Sequence, residues 1–453
     1  MSFVPTAGIW RVLLVSVTWQ AVCVACRAAD AVPDKTTSQE PAASFALPAC
    51  PWPADFFPIL TWDRLHGWKP PSRNPQHGLQ SIAECNFTIG GFALAEDLPE
   101  CERLGLRVML PPDESKLGPI KWTALSETEI DDRVQKMVAA SAGNPFVLGY
   151  WIADEPNVTA FPALAKVVAA VKKHAPGKLA YINLYPSYAT VGAPDRSQLG
   201  TPTYTEYLER FVAEVQPQLL SYDNYMVQYS DDLQTEKAAL YYADLLEVRR
   251  VAGKHGLPFW NVVSGNQIRK FTTIPSPANL TFQAYTTLAA GGRGISWYKY
   301  YQDGYHYAPI SNDGEKTETW RYLQIVNHQV RTLGPVMNRL ASTGVYFSSP
   351  PPAPGLPLLP GRIVRQVQSR VSVRNPQAAQ PPIMVGEFLD AGGGDHVMIV
   401  NLSLERSVNV KIETARVYAK QEFISAEDGR LMPLDTENGH WLVAGQGLLL
   451  RLR

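Results

Sequence analysis

Asp154 and Glu155 stand side by side at the end of an apolar run, residues 146–152 (FVLGYWI), and are followed at once by Pro156 and Asn157. An unbroken apolar run of that length reads as a strand buried on both faces. Acids at the C-terminal end of such a strand sit where parallel α/β proteins keep their chemistry. A helix N-cap would need only one of the two, which makes Glu155 the candidate for a working carboxylate. Asp223, inside Tyr222-Asp223-Asn224-Tyr225, is the candidate partner. Its polar setting predicts an ionised group, whereas Glu155, close to Tyr150 and Trp151, is expected to hold its proton longer. An acid and a base about 5 to 9 Å apart are what cleavage of a glycosidic bond requires: one protonates the leaving oxygen, the other attacks or activates water.

The residues expected to contact a substrate are read from the other strand ends: Asp154, Asn183, Tyr185, Tyr225, Trp260, Asn261, Trp297 and Tyr300. Amides and flat aromatic faces with polar edges suit sugars. No Ser-His-Asp set falls at such positions. No Cys/His spacing matches a zinc site and no glycine loop matches a phosphate cradle, so neither a metal nor a cofactor is expected.

The elements that must position these groups recur in alternation. Apolar runs at 56–62, 86–92, 106–110, 146–153, 179–184, 219–225, 258–263 and 294–300 are separated by helical patterns, among them 127–142, 160–174, 204–215, 235–255 and 279–290. Eight strand–helix units over some 250 residues predict a (β/α)8 TIM barrel of the α/β class, residues 50–340, closed by a helix over 317–333. Residues 341–380, with PPPAPGLPLLP at 350–360, read as a proline-rich connector. Residues 381–453 then alternate with a period of two and predict a small C-terminal all-β, sandwich-like domain with strands at 383–388, 396–401, 408–412, 416–418 and 448–452. Trp441 is its one candidate for a sugar-facing aromatic, and a structural brace is the favoured role.

The chain has 453 residues, with 41 Lys and Arg against 42 Asp and Glu. That balance argues against a nucleic-acid partner. Arg11, the apolar residues 12–26 and the small-residue exit Ala29-Asp30-Ala31 predict a signal peptide over 1–31, hence a secreted or periplasmic protein. Lipid attachment at Cys26 is the lesser alternative. Residues 32–49 read as an unstructured lead-in, and no run reaches the ~18 apolar residues of a membrane span. Of five cysteines, Cys50, Cys85 and Cys101 remain after cleavage, and Cys85 and Cys101 are the candidate disulfide.

Residues 150–156, ending in Glu155-Pro156, resemble the Asn-Glu-Pro fourth-strand motif of clan A (β/α)8 glycoside hydrolases. Residues 281–301 (TFQAYTTLAAGGRGISWYKYY) are similar to the helix and eighth strand of beta-galactosidase-like members such as family 42, and Asn312-Asp313-Gly314, Thr319-Trp320 and 327–333 continue the likeness. The resemblance implies a glycosidase acting on an oligo- or polysaccharide, with Glu155 as acid/base. The sequence departs from that pattern twice. Asp154 replaces the Asn that contacts the sugar, and 258–265 carries no carboxylate where the family keeps its nucleophile. A non-catalytic carbohydrate-binding protein on the same barrel is the alternative.

Overall fold

The computed structural model describes residues 47–63, 78–111, 120–141, 143–190, 197–229, 236–371 and 380–453. The expected signal peptide, Cys26 and most of the lead-in lie outside the described residues. Eight parallel strands close on themselves in chain order, the first pairing with the last. They are β1 (Ile59–Trp62), β2 (Ile89–Phe92), β3 (Arg107–Leu110), β4 (Val147–Asp154), β5 (Leu179–Leu184), β6 (Leu220–Asn224), β7 (Phe259–Ser264) and β8 (Ile295–Tyr298). Each is followed by a helix: α1 (Leu79–Glu84), α2 (Leu98–Leu104), α3 (Glu127–Ala140), α4 (Phe161–His174), α5 (Tyr204–Arg210), α6 (Glu236–Lys254), α7 (Pro277–Ala289) and α8 (Glu318–Met337). This is the predicted (β/α)8 barrel.

Local signals set the helix starts. Ser126 caps α3, accepting from the Glu129 N–H while the Glu129 carboxylate returns a bond to the Ser126 N–H. Ser276 does the same for α7 with Asn279, and Pro277 supplies a first residue with no N–H to satisfy.

Strand parity divides the barrel core in two. Leu60, Ile89, Met109, Leu148, Trp151, Tyr181, Trp260 and Val262 pack in the lumen with Trp52, which precedes the first strand. Alternate residues, such as Tyr150, Ile182, Tyr222, Val263 and Trp297, face the helices. Trp260 packs in a tilted arrangement against Trp52 (5.3 Å between ring centroids) and Tyr181 (5.5 Å). Gly294 makes room for it, since a Cβ there would lie 2.4 Å from the indole nitrogen.

The C-terminal strands form two sheets, β10-β13-β16 and β15-β14-β17-β12-β11-β9. Their ranges are β9 (Leu340–Phe347), β10 (Val364–Arg370), β11 (Ile383–Asp390), β12 (Asp395–Asn401), β13 (Val408–Thr414), β14 (Gln421–Ile424), β15 (Leu431–Pro433), β16 (His440–Leu442) and β17 (Gly447–Leu452). Apolar residues of the two sheets, among them Val364, Val385, Ile399, Val410 and Leu450, share one core. The other face of the larger sheet (Met384, Phe388, Met398, Leu449) joins the barrel's helical layer. Two expectations change here. The connector at 341–380 holds β9 and β10, and residues 416–418 are not a strand: Arg416 and Tyr418 instead converge with Arg362 on the buried Asp395.

The barrel and these sheets make one unit, Phe45–Arg453. The guanidinium of the buried Arg293 donates to the carbonyls of Met337 and Leu340, where α8 turns into β9. Cys50, Cys85 and Cys101 are all free thiols, so the candidate pair Cys85 and Cys101 is not joined. Cys85 instead donates to the Trp320 carbonyl at 3.4 Å. Burial pushes the Cys101 thiol up to about 12. Among the described residues no helix is long and apolar enough to cross a membrane.

Candidate active site

β4, β5 and β6 bring three carboxyls and one amide together at the C-terminal mouth of the barrel. Asp154 ends β4 and is exposed; Glu155 follows it and is half-buried. Asn183 on β5 is fully buried, and Asp223 on β6 is 4% exposed. Parallel pairing sets Asp154 opposite Asn183. The Asn183 Nδ2 donates to Asp223 Oδ1 at 2.5 Å and to Asp154 Oδ1 at 3.2 Å. Its main-chain carbonyl accepts the Glu155 N–H at 2.9 Å. Glu155 itself sits at φ 46°, in the left-handed region that non-glycine residues seldom adopt.

Asp223 is pushed well above the usual carboxylate range. Burial is the first cause, followed by a hydrogen bond with the Glu155 carboxyl and the charges of Asp154 and Glu155; the Asn183 amide pulls the other way. Burial and the neighbouring acids disfavour its charged form, so Asp223 holds its proton more strongly than an ordinary carboxyl does. This corrects the expectation for Asp223 as the ionised base. A polar neighbourhood in sequence became a buried one in the fold.

Tyrosines surround the acids. Tyr185, half-buried, is raised by burial and by the charges of Glu155 and Asp154. Tyr225 is raised by burial and then by Asp223, and its ring lies 5.2 Å from that of Tyr298, which shares a hydroxyl–hydroxyl hydrogen bond with Tyr305. Lys299 pairs with Asp303 at 3.0 Å. Asp63, just past β1, accepts the Tyr301 N–H at 2.8 Å.

The remaining sequence candidates lie elsewhere. Trp260 is in the lumen below the acids, with no exposed surface. Asn261 turns outward and donates to Thr287 Oγ1 on α7 at 3.0 Å. Trp297 also turns outward, its indole N–H donating to Asn327 Oδ1 on α8 at 2.8 Å. Tyr300 is buried against Ser81 (2.6 Å) and Trp320 (3.1 Å). All four are core residues: strand parity points Trp260 at the lumen floor and Asn261 and Trp297 at the helices, and Tyr300, past the end of β8, packs between α1 and α8.

Two residues that the sequence reading passed over belong to the site. Ser221 donates to Asn183 Oδ1 at 3.0 Å, and Tyr181 contacts Ser221 Oγ at 2.9 Å. They lie two positions before Asp223 and Asn183, on the same strand faces. A period-two count back from those polar residues is the signal that finds them. Among the described residues no group of His, Cys, Asp and Glu is arranged to hold a metal.

No protein-family model matches the sequence, and no curated protein matches it. Among solved structures the chain is similar to the beta-galactosidase from the psychrophilic Marinomonas ef1, with a TM-score of 0.46 and 12% identity over 62% of each chain. It is also similar to AbfB, a family 51 alpha-L-arabinofuranosidase from Bifidobacterium longum (TM-score 0.45, 12% identity, 90% of this chain and 98% of that one). A third is Gas2p from Saccharomyces cerevisiae (TM-score 0.44, 13% identity, 60% of each). The chain thus spans less than two thirds of the galactosidase and of Gas2p. The barrel rests on its own strand order, and these likenesses assign no residue a role.

Proposed function

We propose that the protein hydrolyses a glycosidic bond of an oligo- or polysaccharide, with Glu155 as the group that exchanges a proton with the glycosidic oxygen. The observation that carries this reading is the convergence of Asp154, Glu155 and Asp223 around Asn183 at the barrel mouth. Glu155 gives a proton to the leaving oxygen as the bond to the anomeric carbon breaks. The negative charge left on Glu155 then faces the cation developing on the sugar. Water adds to the anomeric carbon and returns a proton to Glu155, so the balance closes. Tyr185 and Tyr225 are the aromatic contacts for the sugar.

Secretion is part of the proposal and rests on the apolar segment 12–26 and the exit at Ala29-Asp30-Ala31. N-terminal sequencing of the exported protein tests it, and a mature chain beginning after Ala31 is the expected result.

One observation favours binding without hydrolysis: β7 ends at Ser264 with no carboxyl. The experiment that separates the readings is a panel of aryl glycosides and polysaccharides assayed with the wild type and Glu155→Gln. A loss of about 10²-fold or more in the variant is expected, the usual scale of general acid/base catalysis. Equal activity in both proteins removes Glu155 from the mechanism. Glycan binding with no cleavage by either protein establishes the binding reading.

A further inference from the structure

Barrel lumens are ordinarily filled by layers of branched apolar side chains. Here a polar column, Tyr181, Ser221 and Asn183, climbs from the level of Trp260 to the carboxyls, and all three residues are buried. Its hydrogen bonds have a single consistent direction. Ser221 has one hydroxyl hydrogen and gives it to Asn183 Oδ1. In its contact with Tyr181 it therefore accepts, and the phenol donates. With Oδ1 committed to Ser221, both Nδ2 hydrogens face carboxylate oxygens, one on Asp223 and one on Asp154. The reversed amide would lose its donation to Asp223 and Asp154 and the bond that Ser221 gives to Oδ1.

We propose that Tyr181 and Ser221 are positioning residues, which fix the Asn183 amide so that this one side chain holds Asp154 and Asp223 while its main chain holds Glu155. The proposal rests on the hydrolase reading only for its effect on turnover; the positioning itself is a property of the folded protein. Losing the chain frees the amide to rotate and weakens its bond to Asp223. That bond favours the ionised carboxylate, so its loss moves the Asp223 titration upward. The other groups around Asp223 are Asp154 at the end of β4, Glu155 after it, Tyr185 after β5, Tyr204 and Tyr207 on α5, Tyr225 after β6 and Tyr298 on β8.

The test is a pH titration of the full chain followed by the infrared band of protonated carboxyl, with Asp223→Asn identifying which band belongs to Asp223. Ser221→Ala is expected to shift the Asp223 midpoint upward by roughly one pH unit, the size of one hydrogen bond to a charged group. Tyr181→Phe shifts it the same way by less, and Ser221→Thr, which keeps the hydroxyl, restores the wild-type midpoint. An unchanged or lowered midpoint in folded Ser221→Ala overturns the proposal; if that variant does not fold, an unchanged midpoint in Tyr181→Phe does so. The glycoside panel is read in parallel. A shifted midpoint with no cleavage of any glycoside upholds the chain and ends the hydrolase reading, whereas cleavage with an unmoved midpoint does the reverse.

Discussion

Glu155 hangs its main-chain N–H on the carbonyl of Asn183, 2.9 Å away, while its own φ stands at 46°. The bond spans adjacent strands and holds an acid in a conformation that L-residues resist by roughly 1 to 2 kcal/mol. Strain of this kind persists where the surrounding structure over-determines the backbone, and it clusters at functional sites.

Replacing the strained residue therefore separates stability from activity. Glu155→Gly removes the Cβ penalty, and after the entropy a glycine costs in the unfolded chain it should leave the protein as stable as the wild type or more stable by up to about 1 kcal/mol. Hydrolysis should disappear in the same variant. Thermal unfolding beside the glycoside assay checks both, and a Glu155→Gly protein that melts well below the wild type argues against backbone strain at this position.

Asp244 on α6 supplies a pH dependence of its own. It is 1% exposed, accepts the Ser187 N–H at 3.2 Å, and burial pushes its carboxyl up to about 7. The groups facing it are Ser187, Glu247, Tyr204 and Tyr222. Below about pH 3.9 the carboxyl is protonated in both the folded and unfolded chain, and its contribution is fully present. As pH rises toward about 7, only the unfolded chain releases the proton, so stability falls. Asp244→Asn should flatten the melting temperature across that window; a profile as steep as the wild type's would show that Asp244 titrates normally.

Trp260 is expected to matter for stability and not for substrate. Its ring is enclosed by Trp52, Tyr181 and the backbone at Gly294. Trp260→Ala should cost about 3 to 5 kcal/mol, and the milder Trp260→Phe should lower the melting temperature while leaving KM for any cleaved glycoside unchanged. A several-fold rise in KM in folded Trp260→Phe would return this residue to the substrate site.

Gly386 joins the β domain to the barrel. A Cβ on β11 at this point would lie 2.0 Å from the Ala289 carbonyl at the end of α7, where backbone meets backbone. Gly386→Ala should therefore destabilise by roughly 1 to 3 kcal/mol or more, as overpacking does. Because both parts share one core, the loss should appear as a lowered single unfolding transition by calorimetry. Two separate transitions, with only the smaller one moved, would show the β domain to be an independent appendage.

The amino-acid pattern was enough to locate all eight barrel strands and the mouth acids. A strand buried on both faces must be a continuous apolar run, and in a parallel barrel the residues that follow it lie at the mouth. The proline-rich stretch 341–380 hid β9 and β10 because each is stabilised by partners far along the chain: β11 for β9, and β13 for β10. Which residues line the site was decided in three dimensions. Trp260 and Asn261 are neighbours in sequence, yet one fills the lumen and the other reaches α7, since a shift of one residue reverses a strand's face. The charge of Asp223 was decided there too. Its tetrapeptide is polar, but folding buries it against Glu155 and Asp154, and a carboxyl's ionisation follows its spatial neighbours.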